Sequence, residues 1–275
     1  MIYFLLLILL FLIFLISFVH YCYTTTNVHE KLEIESAHVL ITGGSKGIGK
    51  AVAMELIRCG ASVTIVARDE NTLKKSHMEL SNCRSNSTQI IDYKTLDVTW
   101  NMEVIKKTIN DIIEKSGPIN ILVNCAGYAI ARKFNNTKLT EFEDIINCNL
   151  LGTIKVTQVV LVGMKDRKAG QIVLISSVCG QFGFYGYSAY SATKFALKGV
   201  SDCLSMEVYK FPYLKLIRDN IGVTVVYPPD TNTEGFLNEN KDKPLVTEQI
   251  SSSGGLMDPI AVAQQIVIAI KVILF

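Results

Sequence analysis

The chain opens on an unbroken apolar run, Met1 to Val19, with no charge and almost no polar side chain. A short polar stretch follows, and then short β-prone apolar runs alternate with amphipathic ones. The short runs predict strands at His38–Thr42, Ser62–Ala67, Gln89–Asp92, Ile119–Asn124, Gln171–Ser176 and Val223–Tyr227. Between them, apolar residues at three- and four-residue spacing predict helices, among them Asn101–Lys115 and Leu139–Met164. Strands alternating with helices predict an α/β fold, a Rossmann-like doubly wound parallel sheet with helices on both faces. No internal repeat interrupts this order. The expected organisation is a transmembrane anchor over residues 1–23, a linker over 24–36 and one domain over 37–275.

Nineteen apolar residues at ~1.5 Å rise give roughly 28 Å, close to the hydrocarbon thickness of a bilayer. A cleaved secretory signal fits less well. There is no basic leading segment, the run exceeds the usual ~7 to 15 residues, and no small-x-small site follows. Charge does not set the orientation, because Glu30, Lys31, Glu33 and Glu35 give no basic bias. Hydrophobic residues make up 49% of the chain, and the excess lies in this segment. With 19% charged residues and a net charge of +2, nothing draws the protein toward nucleic acid. Seven scattered cysteines without a Cys-x-x-Cys pair, and four isolated histidines, signal neither a metal site nor a disulfide framework. Free thiols suit a reducing compartment, which puts the globular part on the cytosolic side. The sequons at Asn86 and Asn135 carry no meaning there.

The first strand runs directly into Thr42-Gly43-Gly44-Ser45-Lys46-Gly47-Ile48-Gly49, and a helical pattern starts at Lys50. A glycine turn between strand and helix lets backbone amides approach a pyrophosphate at the positive helix end. At the tip of the second strand the chain reads Val66-Ala67-Arg68-Asp69. An acidic tip would hold a ribose hydroxyl, whereas Arg68 would neutralise a 2′-phosphate, so NADPH is the expected cofactor. Lys46 could add a second positive charge, and Asp69 argues mildly the other way. Farther on, Tyr190-Ser191-Ala192-Thr193-Lys194 places a phenol and an ammonium on one helix face. A tyrosine of ordinary pKa near 10 is a poor acid–base group at neutral pH, and a neighbouring cation would favour its phenolate.

The spacing Thr-Gly-x-x-x-Gly-x-Gly resembles that of the short-chain dehydrogenase/reductase family, and the likeness covers residues 37 to 235. Asn124-Cys125-Ala126-Gly127, Asp97-Val98, Asn149-Leu150-Leu151-Gly152, and Ser177 thirteen residues before Tyr190 match further family elements. The resemblance implies a catalytic tetrad of Asn149, Ser177, Tyr190 and Lys194. Ser177 would orient the substrate carbonyl, with Ser176 on the opposite strand face as the lesser alternative. Tyr190 would protonate the alkoxide, Lys194 would lower the phenol pKa and hold a ribose, and Asn149 would position a water. The implied cofactor contacts are Thr42, Gly43, Ser45, Lys46, Gly47, Ile48, Gly49, Arg68, Asp97, Val98, Asn124, Ala126, Gly127, Tyr190, Lys194, Pro228, Thr231 and Thr233.

The sixth strand ends in Tyr227-Pro228-Pro229-Asp230-Thr231-Asn232-Thr233-Glu234-Gly235-Phe236, where most of the family has Pro-Gly. This run, with Gly180 to Gly186 and Lys243-Pro244-Leu245, resembles the 3-ketodihydrosphingosine reductase branch. That implies a long-chain sphingoid ketone as substrate, an endoplasmic reticulum membrane as location and a catalytic domain facing the cytosol. Phe182, Phe184 and Tyr185 could receive the acyl tail. A substrate gaining about 0.8 kcal/mol per buried methylene resides in the membrane, which suits an anchored enzyme. Family members often form homodimers through the helices bearing Asn149 and Tyr190. Two departures stand out: about eight extra residues within Tyr209 to Gly222, with Pro212 expected to end the preceding helix, and an apolar helical pattern, Ile260 to Phe275, where the family continues further, so a truncated C-terminus is expected. The competing readings are an anchored hydroxysteroid or retinoid dehydrogenase and a catalytically inactive nucleotide-binding scaffold.

Overall fold

The computed structural model describes residues 9, 11–19, 33–208 and 220–271. Six strands form one sheet: β1 His38–Thr42, β2 Ser62–Ala67, β3 Ile91–Thr95, β4 Ile121–Asn124, β5 Gly170–Ile175 and β6 Ile221–Val226. Their order is β3-β2-β1-β4-β5-β6, and every neighbouring pair is parallel. The helices are α1 Gly47–Arg58, α2 Glu70–Ser81, α3 Met102–Ser116, α4 Leu139–Ile146, α5 Thr153–Arg167, α6 Ser188–Val208, α7 Glu234–Glu239, α8 Leu245–Ser253 and α9 Pro259–Lys271. A six-residue π-helical segment, Asn147–Gly152, joins α4 to α5.

The alternation of side chains along each strand splits the core into two layers. Val39, Ile41, Val63 and Ile65 pack with Leu56 and Ile57 of α1, Leu73 of α2 and Ile266 of α9. On the other face, Leu40, Leu122 and Leu174 pack with Ile105 and Ile109 of α3, Val156 of α5 and Leu204 of α6. Burial on both faces accounts for strands that read as continuous apolar runs. The doubly wound parallel sheet expected from the sequence is the fold observed.

The strands differ from expectation at their ends. The third begins at Ile91 instead of Gln89. Gln89 is a buried plug: its amide donates to the carbonyls of Ile57 and Ala61, both at 2.7 Å, while its Oε1 accepts from the Ser85 and Asn86 amides. β5 starts at Gly170 and stops at Ile175, so Ser176 lies just past it. Ile34, within the expected linker, is already part of the core. The expected insertion falls almost wholly in 209–219, and Pro212 with it, outside the described residues. Among the described residues one helix, Leu139–Arg167, is long and apolar enough to cross a membrane, with a mean hydropathy of 1.6. Its Ile145, Val156, Val160 and Met164 are fully covered by the domain, which is the burial of a core helix.

Two glycines are demanded by the turn after β1. Gly43 has φ +66° and approaches the β4 exit so closely that a Cβ would sit 2.9 Å from the Ala126 backbone. A Cβ on Gly49 would meet the Gly43 carbonyl oxygen at 2.4 Å. α1 can start against this turn only because both lack side chains.

His38, at the start of β1, is buried. Its Nδ1 lies 2.8 Å from the Gly117 carbonyl and must donate, which leaves Nε2 to accept from the Thr64 hydroxyl at 2.9 Å. Burial lowers its pKa from the ordinary value of 6.5, so the neutral ring is favoured in the fold. The unfolded chain therefore binds the proton more readily, and stability is lost as pH falls below 6.5 toward the folded value. Thermal melts at decreasing pH should show this decline, and His38→Gln should flatten it.

Candidate active site

Along the C-terminal ends of β1, β2, β4 and β5 runs a cleft of about 680 Å³, at the point where strand order reverses between β1 and β4. One end is nucleotide-shaped. Gly43, Ser45, Lys46, Gly47, Ile48 and Gly49 line it, with Arg68, Asp97, Val98, Ala126 and Gly127. α1 begins here without a side-chain cap, so its first amides remain available to an anion. A pyrophosphate suits that arrangement, since the turn offers donors and no side chain in the way.

Side-chain partners sort the expected cofactor residues. Thr42 does not line the cleft; it is buried, and its Oγ1 accepts from the Cys125 and Ala126 amides, both at 3.1 Å. Asn124 is likewise behind the wall, its amide donating to Thr157 Oγ1 at 3.0 Å. Both hold the frame that cofactor contacts need. Asp97 lines the cleft, and its Oδ1 accepts from the Thr99 amide and hydroxyl, which fixes the turn after β3. At the tip of β2, Asp69 is committed to capping α2, accepting from the Thr72 amide at 2.7 Å. Arg68 lines the cleft and has no ion-pair partner among the described residues. Lys46 instead pairs with Glu234 Oε2 at 2.7 Å, across the mouth of the cleft. Pro228, Thr231 and Thr233 line the facing wall; Thr231 donates to the Pro229 carbonyl and Thr233 caps α7.

At the other end, α6 turns Tyr190 and Lys194 toward the strand ends. The ammonium lies 5.5 Å from the centre of the Tyr190 ring and donates to the Ile175 carbonyl at 2.8 Å. Burial pushes the Tyr190 phenol well above its ordinary value, with the Ser177 hydroxyl pulling the other way. The expected depression by Lys194 is not what governs the phenol here. Burial acts on Lys194 too and lowers it to about 8. The neutral phenol is thus strongly favoured, the form a proton donor needs.

The two serines after β5 have different tasks. Ser176 is buried and donates to the Lys194 carbonyl at 3.0 Å, tying α6 to the sheet. Ser177 lines the cleft and accepts from the Cys179 amide at 3.2 Å. Its own hydroxyl hydrogen remains to give.

Asn149 lies outside the cleft wall, buried in the π-helical segment. Both hydrogens of its amide are spent, on the Tyr128 carbonyl at 2.9 Å and Thr193 Oγ1 at 3.2 Å. Its Oδ1 accepts from the Tyr128 amide at 3.0 Å and has one lone pair left, toward Gly127. A π turn in a long helix is often found at a functional position, and here it carries a side chain that links α6 to the β4 exit. The sequence pattern gives no sign of it.

Tyr187, Asp230 and Glu239 also line the cleft; Asp230 belongs to the run after β6, and no motif marks Tyr187 or Glu239. Tyr187 lies three residues before Tyr190, its ring centre 5.9 Å away, a one-turn spacing that was legible. Nearby, burial pushes the Cys125 and Cys179 thiols up to about 11, so both stay protonated and unreactive at neutral pH.

Reversal of strand order, an uncapped helix behind a glycine turn, and a Ser177–Tyr190–Lys194 wall define a nicotinamide-dependent oxidoreductase of the Rossmann class. Residues 37–244 match the family model for short chain dehydrogenase. The chain belongs to that family. It is 42% identical over 236 residues to the 3-dehydrosphinganine reductase of Danio rerio, covering 86% of this chain and 69% of the relative. Identity is also 42% over 236 residues to the 3-ketodihydrosphingosine reductase of Bos taurus, with the same coverage. Among solved structures, a single-residue variant of actinorhodin polyketide ketoreductase with NADPH is similar with a TM-score of 0.73 at 27% identity, over 86% of this chain and 90% of that one. ElxO with NADP bound gives 0.71 at 31% identity, over 85% and 90%.

Asn149→Ala would leave the Tyr128 amide and carbonyl without partners. Unfolding monitored by circular dichroism should show a loss of about 1–3 kcal/mol. A stability equal to wild type would mean that these bonds do not hold the π turn.

Proposed function

We propose that this chain reduces the ketone of 3-ketodihydrosphingosine, a long-chain sphingoid ketone, to dihydrosphingosine at the expense of NADPH. The observation that carries the chemistry is Tyr190, whose neutral phenol is favoured, lining one cleft wall with Ser177 and Lys194. The substrate reading is supported by 42% identity to reductases named for it in two vertebrates and by the Pro228-Pro229-Asp230 run.

The nicotinamide, when bound, supplies the hydride that the ketone carbon receives. The residues of this chain do the rest. Ser177 donates its hydroxyl hydrogen to the ketone oxygen and fixes its position. Tyr190 gives its phenolic proton to that oxygen as negative charge develops on it. Lys194, an ammonium four residues on, stabilises the phenolate left behind. Asn149 acts by position, holding the Gly127–Tyr128 backbone against Thr193 of the catalytic helix. Tyr190→Phe should reduce turnover by about 10²–10⁴-fold while NADPH fluorescence still reports binding. Membranes that consume a ketosteroid and leave 3-ketodihydrosphingosine untouched would overturn the substrate reading, and wild type that binds NADPH without any turnover would favour an inactive scaffold.

The preference for NADPH is supported by Arg68, which follows β2 and has no ion-pair partner among the described residues, and by the commitment of Asp69 to its helix. Lys46 is placed to help on release from Glu234. Arg68→Ala should raise the KM for NADPH at least about tenfold, the scale of one charge-assisted contact, and leave that for NADH nearly unchanged. Equal changes for both would refute the role.

The same proposal places the domain on the cytosolic face of the endoplasmic reticulum membrane, held by the N-terminal apolar run. Residues 11–19 are helical, with Phe11, Phe14 and Ile16 exposed, which supports an anchor. Pairing of two copies is supported by exposed Leu151 and Val162 on one helix and Phe195 and Met206 on the other, each pair eleven residues apart and so on one face.

A further inference from the structure

We propose that Glu239 receives the ammonium group of the substrate and so selects ketones that carry an amine on the adjacent carbon. This rests on the substrate reading above. Glu239 ends α7 and lines the cleft beside Tyr187 and Tyr190. Its two oxygens are used differently. Oε1 accepts the Tyr187 phenol hydrogen and pairs with Lys243 at 3.1 Å. Oε2 accepts no hydrogen bond among the described residues.

The carboxylate is held in place. Lys243 is 2% exposed and Glu239 12%. The Lys243 ammonium sits 4.4 Å from the Phe236 ring centre and 5.6 Å from that of Tyr187, and it reaches Ser251 at 3.4 Å. Ser251 in turn donates to Asp230. Two carboxylates against one ammonium leave this end of the cleft negative, while along the rest of it Lys46, Arg68 and Lys194 balance Asp69, Asp97 and Glu234. Both carboxylates act on Tyr190, and both oppose its ionisation. A clamp on Tyr187 and Lys243 requires only Oε1. The second oxygen is left as an acceptor for a cation that arrives with the substrate, on a side chain that lines the same cleft as Ser177 and Tyr190.

The chemistry of the substrate supplies that cation. In 3-ketodihydrosphingosine the amine is on the carbon next to the ketone, so a carbonyl oxygen seated between Ser177 and Tyr190 brings the ammonium beside the same wall. A charged amine carried into a partly dry cleft without an acceptor would be costly to desolvate. A charge-assisted hydrogen bond to a fixed carboxylate removes that cost and orients the ketone.

The test uses the full chain in detergent with NADPH and two ketones of equal length, 3-ketodihydrosphingosine and the 1-hydroxy-3-ketone that lacks the amine. Wild type should favour the amino ketone. Glu239→Gln should lower the ratio of the two kcat/KM values at least about tenfold, mainly through KM, and Glu239→Asp should recover part of it. Equal losses on both ketones, or none on either, would show a structural clamp and overturn the proposal. Wild type that treats the two ketones alike would overturn it while leaving the substrate reading intact. Wild type that reduces neither would overturn both.

Discussion

Two amide hydrogens, those of Cys125 and Ala126, converge on the Thr42 hydroxyl. That junction ties the end of β1 to the chain leaving β4 where the strand order reverses. The chain after β1 goes to one side of the sheet and the chain after β4 to the other, so a cleft opens between them. Everything functional is referred to this point. Gly43 packs on the same Ala126 backbone, Gly49 packs on Gly43, and α1 therefore starts with its amides facing the cleft. On the other side, Gly127 and Tyr128 follow directly and are caught by Asn149, which reaches the catalytic helix through Thr193. A threonine at the strand end is thus the hinge between the nucleotide half and the chemical half.

Desolvation decides the electrostatics of the chemical half. It raises Tyr190 and lowers Lys194, pushing each toward its neutral form. The reduction proposed above would use the neutral phenol, while Lys194, lowered only to about 8, keeps its charge at neutral pH. The nearby carboxylates of Asp230 and Glu239 act in the same sense. The family's usual picture of a lysine that depresses the phenol describes only one of the charges the site contains.

The layered α/β architecture was legible because strands buried on both faces leave apolar runs, and helices between them leave a spaced pattern. Tyr190, Lys194, Ser177 and the glycine turn were legible because spacing along the chain survives in the fold. What escaped was the allocation of hydrogen bonds. Gln89 reads as part of a strand, yet its amide is needed to close the α1–β2 turn. Asp69 argues mildly against NADPH, yet it caps a helix. Thr42 and Asn124 read as cofactor contacts, yet their polar atoms face inward. Glu239 belongs to no motif, and its significance comes from Tyr187, more than fifty residues away in the chain. Partners of that kind are chosen by tertiary packing, and single-residue patterns do not encode them.

The π-helical segment at Asn147–Gly152 has a consequence of another kind. A π turn holds one more residue than an α turn, so it takes up an extra residue locally and changes which side chains the segment presents. Removing one residue there would restore regular α-helix with α4 and α5 close to their present phase, because the wide turn is what takes up the extra residue. Ile145 would keep its place in the core, but the side chains inside the segment would be redistributed and Asn149 would no longer meet Tyr128. Substitutions can accumulate along this helix, but its length between Leu139 and Arg167 is locked by the core at one end and the cleft at the other. For this stretch of chain, the number of residues is itself a functional constraint.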